Sequence, residues 1–208
     1  MVRILILLCL MLVPLVDASA GDAKEKYLAL LKIAKENPGQ VDWQALRFAY
    51  SDTLEFDVFG RRTAEHRQKM VQAFSAGNFT DALAEAELVM DQDSTDIDAH
   101  RVAAEAYRQL GRNAQGDKEH AIAQALIGSI ATGDGLTPST AFAVISVAEE
   151  YEVFRAIGLG VTRQTLAKID DHSFDLMSTV DLAGKTQDYY FLIDRVLAAE
   201  ARMLKKSP

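Results

Sequence analysis

The sequence predicts an α+β fold. Antiparallel helical hairpins over residues 21–132 are followed by a small β-α-β-β-β-α antiparallel meander over residues 133–208, packed on them. Three observations predict it. Apolar residues recur at three- and four-residue spacing from Tyr27 to Ile130. Gly77 and Gly111 break that pattern 34 positions apart. Beyond Val161, short segments alternate polar and apolar residues between turns rich in Asp, Gly and Lys. Two hairpins bury little by themselves, so the two regions are expected to fold as one cooperative unit.

Residues 1–20 have the pattern of a secretory signal peptide: Arg3, the apolar run "ILILLCLMLVPLV", and Ala18-Ser19-Ala20 as a small-x-small site. Cleavage is expected before Gly21. The run is shorter than the roughly 20 residues that span a bilayer. Cys9, the only cysteine, lies within it, so the mature chain offers no disulfide, thiolate nucleophile or cysteine metal ligand. Losing Arg3 and Asp17 leaves the net charge at −8. An acidic chain without a Lys/Arg cluster is a poor partner for nucleic acid or anionic lipid. The expectation is an exported protein, periplasmic or extracellular, with no membrane insertion of the mature chain.

The first mature helix, "AKEKYLALLKIAKE", stacks Tyr27, Leu30, Leu31 and Ala34 on one face and stops at Asn37-Pro38-Gly39. Asp42 then caps a helix whose stripe is Trp43, Leu46, Ala49 and Tyr50. "TLEFDVFGRR" lacks a helical period and reads as an extended loop. Thr63 is expected to cap a helix carrying Met70, Val71 and Phe74. Thr80 or Asp81 is expected to cap the next, with Ala82, Leu83, Ala86 and Met90 inward. Asp96 caps a third helix, with Ala99, Ala103 and Tyr107, and a fourth runs from about Asn113 to Ile130. "GDG" at Gly133–Gly135 reads as a linker. "TAFAVISV" reads as a buried strand, in preference to one long helix over Pro138–Ile157. The helix after it groups Tyr151, Phe154, Ile157 and Gly158. Two alternating segments meet at the turn Asp170-Asp171-His172; "DYYFLID" is a last strand and "RVLAAEARMLKK" a closing helix.

Thr63–Ile130 resembles the tetratricopeptide repeat. Gly77-Asn78-Phe79 followed by Ala82 matches that family's inter-helix turn, and Ala104, Tyr107 and Gly111 fall at its small, aromatic and glycine positions. Ser94 stands where the family often has proline, and Gly116 where it has alanine. Over roughly Val41–Asp194, the segments "VDWQALRFAY", "DAHRVAAEAYRQLG", "SIATGDGLTPSTAFAVISVAEEYEVFRAIGL" and "YYFLID" together resemble a bacterial family of unknown function, domain of unknown function 4919. The resemblance implies a bacterial exported protein. It brings no activity and no catalytic residues.

His100 and His120 are the leading polar candidates. On the hairpin formed by the third and fourth helices they are placed to face each other, and with a carboxylate they would make a zinc-type site. The competing expectation is a pair of structural histidines under the β layer. Asp170, Asp171, His172 and Asp175 are a weaker cation candidate at a hairpin tip, where acidic side chains more often bond the local backbone. Glu149 and Glu150 are adjacent and point about 100° apart on a helix, a poor acid/base pair. Gly158-Leu159-Gly160 lacks the third glycine of a dinucleotide loop, and no G-x-S-x-G, H-E-x-x-H or P-loop is present. The expected function is therefore a non-enzymatic protein- or peptide-binding module of the cell envelope, without catalytic residues or cofactor. A hydrolase or metal-dependent enzyme with its site near His100 and His120, between the helical and β layers, is the alternative.

Overall fold

A computed structural model describes residues 18–206 except 182, with side-chain surroundings described from 21 to 205. Most of the expected signal peptide, and the side chains of its cleavage site, lie outside the described residues. Among the described residues, eight α-helices and four strands follow in order: α1 (Ala18–Glu36), α2 (Trp43–Ser51), α3 (Ala64–Ser75), α4 (Phe79–Gln92), α5 (Ile97–Gln109), α6 (Asn113–Ile130), β1 (Phe142–Ala143), α7 (Val147–Ile157), β2 (Gly160–Ile169), β3 (His172–Val180), β4 (Thr186–Leu192) and α8 (Asp194–Lys206). None of the described helices is long and apolar enough to cross a membrane.

Helices α3 to α6 form two hairpins with the same turn. Gly77 and Gly111 both take the left-handed conformation, at φ 72° and 76°. After each, the chain closes the helix in the same way: Asn78 N–H donates to Ala73 O and Arg112 N–H to Tyr107 O. The helices that follow start at Phe79 and Asn113, again 34 positions apart. An alanine Cβ at Gly111 would meet nothing within 4 Å, so the cost of Gly111→Ala is that of the backbone alone. It should destabilise by about 1–2 kcal/mol in urea melts; a neutral result would mean the turn does not depend on the left-handed residue.

Gly116 has a different reason. A Cβ there would lie 2.8 Å from Ala104 O, so the closeness of α5 and α6 leaves no room for the repeat family's usual alanine. The "GDG" segment is a docked turn, not a free linker. Gly135 has φ 68°, and a Cβ on it would stand 2.5 Å from the Phe142 ring. Its N–H donates to Thr140 O and its carbonyl accepts from Tyr190 N–H.

Asp42 and Asp96 cap α2 and α5 as expected, accepting from Ala45 and Ala99 N–H at 2.9 Å each. The other two caps differ. Thr63 lies in helical conformation and gives its hydroxyl to Gly60 O. Asn78 is the residue before α4, so Thr80 and Asp81 already sit in its first turn. Val71 faces solvent, while Met70 is fully buried.

The sheet order is β1-β4-β3-β2. Strands β2, β3 and β4 form the expected antiparallel meander, but β1 pairs parallel with β4 through Phe142↔Phe191 and Ala143↔Leu192. The sheet is therefore mixed. Its first strand is two residues long, because the chain leaves it at once for α7, which carries it to β2 at the opposite edge. The larger apolar core runs from Ala34 of α1 through Leu46, Leu126 and Ile130 to Phe154, Met177, Phe191 and Ala199. It is shared by the helical and β regions. A smaller core, with Met70, Ala86, Ala99 and Ala103, lies within α3 to α5.

Helix α7 is turned about its axis relative to the expected stripe. Tyr151 and Ile157 are exposed, whereas Glu149, Glu150, Glu152, Val153 and Phe154 are buried. Three carboxylates thus face inward.

A candidate binding cavity where the helical and β regions meet

Arg47 lies in the middle of the α2 stripe and is fully buried. All five of its N–H groups have an acceptor. Nε donates to Glu149 Oε1 at 2.7 Å, and Nη2 to Glu149 Oε2 and to Ala143 O. Nη1 reaches Ser129 O and Ser129 Oγ, each at 3.2 Å. Glu149 Oε2 also accepts from Ile145 N–H at 2.8 Å. One guanidinium thereby ties α2, the end of α6, β1 and α7 together. The cost of desolvating the pair is offset because no donor is left unanswered.

Beside this pair lies a cavity of about 590 Å³. Its walls come from the loop after α2 (Phe56, Val58), the α4–α5 turn, the start of α7 and one face of α8 (Val196, Glu200). Seven carboxyl side chains line it: Asp57, Asp93, Asp96, Asp98, Glu149, Glu152 and Glu200. Arg67 is the one cation among the lining residues. Several of the acids are already paired: Glu149 with Arg47, Glu152 with Arg101 at 3.0 Å and Arg155 at 3.2 Å, Asp98 with Arg155 at 2.8 Å, and Asp96 with Arg67.

Asp57 Oδ1 is buried without a hydrogen-bond donor, and Asp96 Oδ2 is buried in its ion pair with Arg67 Nη2. The second Asp57 oxygen accepts from Arg62 N–H at 2.8 Å. Asp93 Oδ1 accepts from the N–H and hydroxyl of Thr95. Burial raises the pKa of Asp93, against the two Thr95 bonds, and raises that of Asp96 to about 7, against the attraction of Arg67. Burial likewise raises Glu152.

His100 and His120 do not face each other. His100 Nδ1 pairs with Glu119 Oε2 at 2.6 Å and Nε2 meets Ser94 O at 3.1 Å, so both ring nitrogens are occupied. His100 borders a smaller cavity of about 170 Å³ among helices, with Trp43 and Met90, and not against the β layer. His120 is exposed. It stands where the first hairpin has Ala86; α5 packs over that alanine, but no further hairpin follows α6.

The His100–Glu119 pair is itself a repeat. His66 Nδ1 meets Glu85 Oε2 at 2.7 Å, and both residues lie 34 positions before their counterparts. Each hairpin is thus pinned by the same histidine–carboxylate bond.

The tip cluster is dispersed. Asp170 and Asp171 form the exposed β2–β3 turn, with Asp170 at φ 52°. His172 Nδ1 bonds Asp194 Oδ2 at 2.6 Å. Asp175 points elsewhere: it is buried, accepts from Gln164 Nε2 at 2.6 Å and lies against Glu150. Among the described residues, no three His, Cys, Asp or Glu side chains are grouped as a metal's ligands.

Reasoning from the sequence missed Arg47, Glu149 and the cavity carboxylates. The signal was an arginine inside an apolar stripe and a Glu-Glu pair inside "ISVAEEYEVF". No curated protein and no solved structure matches the chain. A family model described as Domain of unknown function (DUF4919) matches residues 24–202. That span holds the hairpins, the Arg47–Glu149 pair, every wall of the cavity and the whole sheet, and on it the chain belongs to the DUF4919 family.

Proposed function

We propose that the protein is an exported, non-enzymatic binding module of the cell envelope, and that a protein or peptide segment binds in the cavity beside Arg47 and Glu149. The observation that carries this reading is the cavity itself. It has both apolar and charged walls and is braced from behind by a fully satisfied ion pair, as a preformed binding site requires. The paired helical hairpins, which we assign to the tetratricopeptide type, fit the same reading because such hairpins present concave surfaces to peptides. The signal-peptide pattern of residues 1–20 supports export from the cytoplasm.

The raised pKa of Asp96 favours one second reading, acid–base hydrolysis, since a general acid must hold its proton near neutral pH. Against it, Asp96 Oδ1 serves as the α5 cap and Asp93 Oδ1 holds the Thr95 turn. Both carboxylates have structural work that a moving proton would disturb.

Ala148 is exposed and lines the cavity, so Ala148→Trp fills it without touching the core. A partner recovered from the envelope fraction with the wild-type protein, and lost with Ala148→Trp, is the expected result. N-terminal sequencing of the native protein in the same fraction should begin at Gly21. A partner retained equally by both forms would place binding elsewhere, and an uncleaved cytoplasmic chain would contradict export.

A further inference from the structure

Strand β2 is the far edge of the sheet, and its outer side is bare. It is ten residues long and none of them is buried, whereas its neighbour β3 buries five of nine. Among the described residues, its backbone bonds only to β3. The backbone groups that point away from β3 form an open template for another strand. Proteins usually blunt such edges with proline, lysine, a bulge or a short strand. This edge has no proline. Its one bulge, between Val161 and Arg163, leaves a regular run from Arg163 to Ile169. In the middle of that run stands Leu166, which is 66% exposed. It lies opposite Asp175 and so on the face that carries α7, where Tyr151 is also exposed.

The run is complementary to a second copy of itself. Two copies of one strand pair symmetrically only in antiparallel sense, with one residue opposite its own copy on the twofold axis. The midpoint of the regular run is Leu166, and pairing about it uses every residue from Arg163 to Ile169. Leu166 then meets Leu166, an apolar cross-strand pair that covers the exposed side chain. Lys168, the one lysine on the strand, faces the neutral Gln164 of the other copy, so no like charges stand directly opposite. Arg163 at the start of one strand comes beside the exposed Asp170-Asp171 turn that ends the other. Opposite charges thus meet at both ends of the run.

We propose that the protein forms a twofold dimer through β2, joining two four-stranded sheets into one of eight strands with Leu166 on the axis. This goes beyond the cavity reading: no cavity-lining residue lies on β2. The contact is of the small, reversible class.

Sedimentation equilibrium on residues 21–208 should show a dimer whose fraction rises with concentration. Leu166→Lys, which sets two ammonium groups against each other, should raise the dissociation constant by about tenfold. The exposure of Leu166 leaves the melting curve unchanged. Register is read with cysteine, because residues 21–208 contain none. Leu166→Cys should form a disulfide-linked dimer on mild oxidation. Lys168→Cys should not, because its copy lies four residues away along the strand, about 13 Å. A wild-type chain that stays monomeric at about 1 mM would overturn the proposal. So would a dimer that Leu166→Lys leaves intact, or equal cross-linking of the two cysteine variants.

Discussion

Glu149→Ala should destabilise the protein by about 3–5 kcal/mol, because it leaves a fully buried guanidinium without its counter-charge. Three of the hydrogen bonds that end on Glu149 would be lost: two from Arg47 and one from Ile145 N–H. The remaining Arg47 bonds, to Ser129 and Ala143, are to uncharged acceptors that cannot neutralise it. Replacing both partners, as Arg47→Met with Glu149→Leu, should recover at least half of the loss, since apolar side chains need no counter-charge. Urea melts of the single and double variants measure this. Because the pair joins α2, α6, β1 and α7 inside the larger core, the whole chain should melt in one transition in each variant. A cost below about 1 kcal/mol for Glu149→Ala would show that water or a relaxed side chain replaces the pair.

Glu150→Gln should do the opposite and stabilise the protein at neutral pH by on the order of 2 kcal/mol. Glu150 is fully buried against Asp175, and its two oxygens meet no hydrogen-bond donor among the described residues. Burial, then the charge and hydrogen bond of Asp175, raise its pKa to about 9. At neutral pH it therefore keeps its proton and donates it to Asp175, which also accepts from Gln164. The unfolded chain releases that proton near the ordinary carboxylate value. Between that value and about pH 9 the native state holds one proton more than the unfolded state, so stability falls as pH rises through this window. A glutamine donates to Asp175 without a proton to keep. Its variant should be more stable at pH 7 and flatter in stability from pH 5 to 9. Destabilisation at pH 7, or an unchanged slope, would mean that Glu150 is ionised in the folded protein.

What was legible in the sequence was local. Gly77 and Gly111 mark left-handed turns because few other residues adopt that conformation cheaply, and Asp42 and Asp96 cap helices because the cap bonds reach only three residues ahead. The end of α6 at Ile130 and the β2–β3 turn at Asp170-Asp171 follow from the same short-range rules. What was hidden depends on distance. Arg47 and Glu149 are 102 positions apart, and neither is predicted to be buried until the other is in place.

Helix α7 shows the cost of reading one helix alone. Its aromatic and aliphatic residues suggest a face through Tyr151 and Ile157, but burial of Glu149, Glu150 and Glu152 by partners on α2, α5 and β3 turns it to another. One long-range signal in the sequence went unread: His66 and Glu85 recur as His100 and Glu119 at the same interval as the two glycines, and in the structure each histidine bonds its carboxylate. That bond gives His100, a leading ligand candidate from the sequence, a structural partner.

We propose the acidic cavity beside Arg47 and Glu149, and not the histidines of the hairpins, as the functional surface. Backbone amide chemical-shift mapping during titration with the partner recovered from the envelope fraction tests it most directly. The largest shifts are expected at residues 56–60, 93–98 and 145–152, whose segments wall the cavity. Shifts centred instead on Trp43, His100 and Glu119, the surroundings of the smaller cavity, would contradict the account, as would a saturating titration that moves none of the three wall segments.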